Sequence, residues 1–133
     1  MATFPIELVT PERIMFSEEV QAVRAPGIDG SFGVLAHHAP LLTELTVGLI
    51  KLTLANGQDA YIATSGGFLQ ISHDKVIILA DSAELSDNID VDRAKAAATL
   101  ARQKLELPGE DAETLRLELL RAENRIRVAQ MIQ

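Results

Sequence analysis

Apolar and polar residues alternate along the first two thirds of the chain and switch to helical spacing in the last third. Phe4, Ile6 and Leu8 fall on one side of an extended backbone with Glu7 on the other, the period of a half-buried strand. Residues 13–16 and 19–25 read as two more short strands, and residues 41–46 suit extended backbone. Ile50, Leu52 and Leu54 then alternate up to Asn56-Gly57, a dipeptide that favours a two-residue type I′ turn because both central residues need positive φ. A return strand over 59–64 follows. Ser65-Gly66-Gly67 is expected to break it, 68–72 to resume, His73-Asp74-Lys75 to turn, and 76–80 to form a buried strand. Many short strands at close spacing predict a β-sandwich or barrel.

Beyond about Ser86 the period moves to about three and a half, which divides the chain into residues 1–86 and 87–133. Asp90 suits an N-cap, Asp92 the first turn, and Ala94, Ala98, Ala101 and Leu105 form one stripe, so a helix is expected over 91–106. Leu107-Pro108-Gly109 ends it. Asp111 suits the cap of a second helix, whose Ala112, Leu115, Leu119, Ala122, Ile126 and Ala129 keep a three-four alternation. The two stripes face each other in an antiparallel helical hairpin. Its first stripe is mostly alanine, and burying one methyl contributes only about 0.8 kcal/mol. The hairpin therefore needs support from the sandwich, from a partner, or from each in turn.

Charge sharpens this division. Residues 1–86 carry four cations and ten acids, a net −6, whereas residues 87–133 carry eight cations and nine acids, a net −1. The total of −7 argues against nucleic acid as a partner. With no cysteine, disulfides, zinc-thiolate sites and thiol catalysis are excluded. The N-terminus lacks the pattern of a signal peptide, and no apolar run approaches the ~20 residues of a spanning helix, so direct membrane insertion is not expected. Arg121 and Arg125 lie one turn apart on the second helix. That spacing suits a grip on carboxylates or phosphates, and equally a solvated face with pairs such as Glu118 to Arg121.

The least regular stretch is residues 27–42, GIDGSFGVLAHHAPLL, with glycines at 27, 30 and 33. It reads as a shaped loop on a β scaffold rather than as an ordinary strand. Its G-x-x-G-x-x-G spacing is neither a dinucleotide fingerprint nor a P-loop, so structural glycines are the better reading. His37 and His38, adjacent on extended backbone, would point to opposite faces, and with His73 they show no H-x-x-x-H spacing, so no metal site is expected. For an enzyme the best candidates would be His37, His38 and His73 with Ser31, Ser65 or Ser72. Ser65-Gly66-Gly67 lacks the surroundings of a nucleophile elbow, and no catalytic residue is assigned.

Four motifs in order carry a resemblance: Gly30-x-Phe32-Gly33-Val34-Leu35-x-x-His38-Ala39-Pro40-Leu41-Leu42, Ser65-Gly66-Gly67-Phe68-Leu69, Ala80-Asp81-x-Ala83-Glu84, and Ile89-Asp90-x-x-Arg93-Ala94. Together, from about Phe4 to the C-terminus, they resemble the epsilon subunit of bacterial and chloroplast rotary F-type ATP synthases. The resemblance implies a flattened β-sandwich of about ten short strands followed by the helical hairpin, in a non-catalytic subunit of the rotor. It implies the gamma subunit, the c-ring and the alpha/beta catalytic head as partners. It places Asp29, Ser31 and Phe32 towards the c-ring and His38 and Thr43 against gamma.

The hairpin is the family's inhibitory element, compact when hydrolysis is permitted and extended when it is blocked. Arg116, Arg121, Arg125 and Arg127 would then meet acidic segments of beta. Some members bind ATP as a regulatory ligand in the compact hairpin, with no cofactor required. Ile89, Asp90, Arg93 and Ala94 match their I/L-D-x-x-R-A motif, and Glu84, Arg121 and Arg125 match further positions. A basic residue those members carry further along the first helix is Leu100 here, and Arg102 lies on another face. Asp90 and Arg93 also have structural readings, as a helix cap and as one half of an ion pair. The implied location is peripheral, on the cytoplasmic face of a bacterial plasma membrane or the stromal face of a thylakoid. A rival reading is a free-standing β-sandwich module for a small ligand with a helical dimerisation tail.

Overall fold

A computed structural model describes residues 2–73, 75–109 and 111–131. Seven strands lead into two helices: β1 Phe4–Val9, β2 Ile14–Gly27, β3 Gly30–Leu35, β4 Leu41–Leu54, β5 Asp59–Ser72, β6 Lys75–Ala80 and β7 Ala83–Leu85, then a 3-10 turn Ser86–Asn88, α1 Val91–Leu105 and α2 Ala112–Ala129. The strands run in the order β1-β6-β5-β4-β2-β3, with β7 alongside β5, and β1 also pairs with β2. That last pairing closes five strands into a flattened, barrel-like sandwich. Only β1 and β6 run parallel among these pairs. The inward residues, including Phe4, Ile6, Leu8, Val23, Ile50, Leu52, Ile62, Leu69 and Ile78, form one continuous core. The alternation of β1 thus points inward as its spacing predicts.

Strand count differs from the ten-strand expectation because β2, β4 and β5 are each fourteen residues long and run through what the sequence suggests are interruptions. Ser65-Gly66-Gly67 does not break β5, which keeps one register with β4 from Leu41↔Ile71 to Thr53↔Asp59. Gly66 and Gly67 instead take φ of +120° and +138°, and Gly67 lets the backbone of β6 approach where any Cβ would overlap the carbonyl oxygen of Leu79. At the same point β5 exchanges β7 for β6 as its second neighbour.

Two turns differ from their sequence expectation. Asn56-Gly57 is not a type I′ turn, since only Gly57, at +88°, has positive φ. The Leu54 and Gln58 backbones close a loop of three residues, Gly57 N–H donates to the Leu54 carbonyl at 2.9 Å, and the Asn56 side chain accepts from Gln58 N–H at 2.9 Å. This fits the three-residue hairpin loop that ends on a left-handed glycine. Residues 27–35 are not an irregular loop either, because β2 and β3 form a regular hairpin from Gly27↔Gly30 to Ala22↔Leu35. The Phe32 ring lies over Gly27, where a Cβ would be 3.0 Å from it, so that glycine is required by space and Gly30, at φ +127°, by conformation.

Both helices start where their caps predict. The Asp90 carboxylate accepts from Arg93 N–H at 3.0 Å, and the Asp111 carboxylate accepts from the N–H groups of Glu113 and Thr114. Ala94, Ala98 and Ala101 are buried against α2, and Arg102 crosses to Glu123 at 3.1 Å. Helix α2 then leans on β4, β5 and the 3-10 turn. Among the alternatives of sandwich, partner, or both in turn, the structure captures the hairpin docked on the sandwich.

Candidate functional site

The dock of α2 on the sandwich is small. Val128 packs with Ala63 and Ile89 and with the half-buried Leu49, Tyr61 and Ala129. Beside it Asn124 donates from Nδ2 to the Gly48 carbonyl at 2.8 Å and accepts at Oδ1 from Arg127 Nη2 at 2.7 Å. Full burial of one aliphatic side chain contributes about 1.5–3 kcal/mol, so this cluster holds the hairpin by a few kcal/mol. The helical periodicity had missed this second face of α2. A lone Asn inside a helix four residues before a Val was its signal, since Asn is a poor helix former unless its side chain finds a partner.

Next to the dock, Glu84, Asp90, Arg93 and Arg125 line a cleft of about 220 Å³. Glu84 comes from β7, Asp90 and Arg93 from the start of α1, and Arg125 from α2, so the cleft exists only while the hairpin is docked. Arg125 Nε lies 3.6 Å from the Glu84 carboxylate. Ile89 and Ala94, which flank Asp90 and Arg93 in sequence, are buried, Ile89 in the cluster with Val128. Arg121 and Arg125 also line a second groove of about 230 Å³ between the helices, with Leu100, Lys104 and Glu118. Arg125 borders both clefts, and each is smaller than the ~300–1,000 Å³ usual for small-molecule sites.

The solvated-face reading of these arginines is not what is seen. Arg125 pairs with Glu84, Arg121 is half-buried, and the Arg121 Nε is shut off from solvent with no hydrogen bond among the described residues. A small cavity of about 30 Å³, bordered by Thr64, Ser65, Ser82 and Asn124, lies beside it. Leu100 is exposed, and Lys104, one turn later, brings a cation into the interhelical groove. Arg116 is exposed on α2, and Arg127 is the cation bound to Asn124.

The remaining residues lie elsewhere. Asp29 is at the exposed tip of the β2–β3 hairpin, Ser31 accepts from Arg24 Nη1 at 3.4 Å, and Phe32 packs against the core. His38 is exposed after β3, its Nδ1 2.8 Å from the Ala39 carbonyl oxygen, and Thr43 is half-buried in β4. His37 sits in a turn at φ +66° rather than on extended backbone, which removes the opposite-faces argument. Among the described residues no three His, Asp or Glu side chains gather in a metal-binding group. No helix among them is long and apolar enough to cross a membrane.

Residues 3–86 match the model of the ATP synthase delta/epsilon chain beta-sandwich domain. The ATP synthase epsilon chain of Desulforamulus reducens is 43% identical over 127 residues, which cover 94% of this chain and 96% of that protein. This chain belongs to the ATP synthase epsilon chain family. The epsilon chain of Syntrophomonas wolfei is 40% identical over 97% of this chain and 96% of its own length, and that of Dehalococcoides mccartyi is 42% identical over 98% and 94%. The fold is shared with a chain in the Euglena gracilis mitochondrial ATP synthase OSCP/F1/c-ring structure, at a TM-score of 0.74 and 23% identity over 98% of this chain and 79% of that one. As an epsilon chain the protein is a non-catalytic subunit of an ATP synthase.

Proposed function

We propose that this epsilon chain sits on the rotor between the gamma subunit and the c-ring, peripheral to the membrane on its cytoplasmic face, and that its hairpin regulates ATP hydrolysis by leaving the sandwich. The observation that carries the reading is the slight dock. Outside the Val128 cluster, the polar contacts that hold α2 to the sandwich among the described residues are those of Asn124 and one half-exposed ion pair, Glu84 with Arg125. Elements that move in regulation come from the weakly held part of a structure. Leu100, Leu117 and Leu120 remain exposed on the docked hairpin, which gives it apolar surface for a second arrangement. In that arrangement Arg116, Arg121, Arg125 and Arg127 would face acidic segments of the catalytic head.

ATP is the ligand proposed for the docked state. Arg93, Arg121, Arg125 and Lys104 supply cationic groups for phosphates, and Glu84 and Asp90 acceptors for sugar hydroxyls or an exocyclic amine. Because the residues come from β7 and both helices, bound nucleotide would hold the hairpin down. Calorimetric titration of the chain with ATP is expected to give a saturable heat that Arg93→Ala reduces at least tenfold in affinity. No heat at millimolar ATP would remove the nucleotide from the proposal.

A further inference from the structure

The outer face of β2, β3 and β4 carries a feature that neither the dock nor the nucleotide clefts use. Arg24 and Lys51 are direct cross-strand partners, and Arg24 is also opposite Gly33 on its other side. They are two of only four cations in residues 1–86, yet they sit side by side, where like charges repel. Lys51 has Asp59 at 3.7 Å, whereas Arg24, among the described residues, has the Ser31 hydroxyl and no carboxylate within 4.0 Å. The missing side chain at Gly33 leaves a groove of about 340 Å³, bordered by Ala22, Leu35 and Thr53 on the same face. A Cβ built at Gly33 would lie 3.6 Å from Arg24 Nη2, so the guanidinium borders this gap.

The groove ends at an open edge. Among the described residues β3 is the last strand of its path and pairs only with β2, and its sequence GSFGVL has no charge and no proline. Sheet edges left free are ordinarily protected by such residues. We propose that an extended acidic segment of a partner chain adds to β3 as a further strand, with a glutamate opposite Gly33 reaching across the bare backbone to Arg24. Strands lie about 4.8 Å apart, which a glutamate spans where a glycine leaves the way clear. Main-chain bonds to β3 would supply the attachment, and the Arg24 and Lys51 charges the choice of sequence. This is a strand-addition site behind the Asp29 tip, and it does not depend on the hairpin.

The test uses the full chain, isotopically labelled, and a blocked seven-residue peptide of alternating threonine and valine with a central glutamate. The glutamate peptide is expected to shift the amides of residues 30–35 and the Arg24 side chain. Its glutamine counterpart should bind about tenfold more weakly and its lysine counterpart more weakly still. Arg24→Gln should remove the difference between glutamate and glutamine. Gly33→Val, which fills the gap, should do the same while leaving β3 amides able to pair. Equal binding of the glutamate and glutamine peptides, or no shift in residues 30–35 at millimolar peptide, would overturn the proposal. So would inorganic phosphate or phosphatidylglycerol vesicles shifting Arg24 and Lys51 as strongly as the peptide, because the cations would then be a general anion site.

Discussion

Single residues in this chain act mostly through backbone geometry. Gly67 combines φ of +138° with the close approach of β6, while Gly30, at +127°, has open space around it. Positive φ alone costs a side chain about 1–3 kcal/mol. Thermal denaturation should therefore show Gly30→Ala losing stability in that range and Gly67→Ala losing clearly more. Asp111 offers a residue-scale test in acid. The hydrogen bond from the Thr114 hydroxyl, with those from the Thr114 and Glu113 backbone, holds its carboxyl below the usual 3.8. Because the folded value is the lower one, the stabilisation is present above the unfolded value and lost as pH falls through the folded value. Helix α2 should fray at its N-terminus on acidification below about pH 4, and Asp111→Ala should remove that pH-dependent step in amide exchange. Both aspartate caps were legible from sequence because a cap acts within three residues. The fit of Phe32 over Gly27 was not, because it depends on the register of two strands.

At the scale of elements, period two located every long strand but divided three of them. A glycine pair or a polar residue reads as an end when the neighbours are unknown, and β5 crosses Ser65-Gly66-Gly67 because β4 holds one side of it in register throughout. The helices were legible almost to the residue, although Ala129, expected in the stripe facing α1, packs with Val128 against the sandwich. What the stripes could not give was the third partner of α2, since Asn124 and Val128 belong to a face that only the sandwich explains. Asn124→Ala should lose the buried hydrogen bond to the Gly48 carbonyl and leave Arg127 without its Oδ1 acceptor, costing about 1–3 kcal/mol, and Val128→Ala should cost a similar amount through its cavity. Amide exchange in both helices should accelerate in either variant while the core of the sandwich stays protected. Uniform acceleration through both parts would instead mean that they unfold as one unit.

At the scale of the molecule, the sandwich core is assembled entirely from residues before Ser86, whereas the hairpin adds only the small cluster at Val128. The cleft residues were legible as a sequence motif, but their meeting was not. Glu84 and Arg125 are forty-one positions apart in sequence and come within 3.6 Å through the dock. Regulation by the hairpin requires that dock to be weak enough to open and the open hairpin to act on the catalytic head. The most direct test is the ATP hydrolysis rate of a reconstituted ATP synthase carrying either the whole chain or residues 1–86 alone, with assembly checked in parallel. A hydrolysis rate several-fold higher with the shortened chain and unchanged assembly is expected; equal rates in fully assembled complexes would contradict regulation by the hairpin.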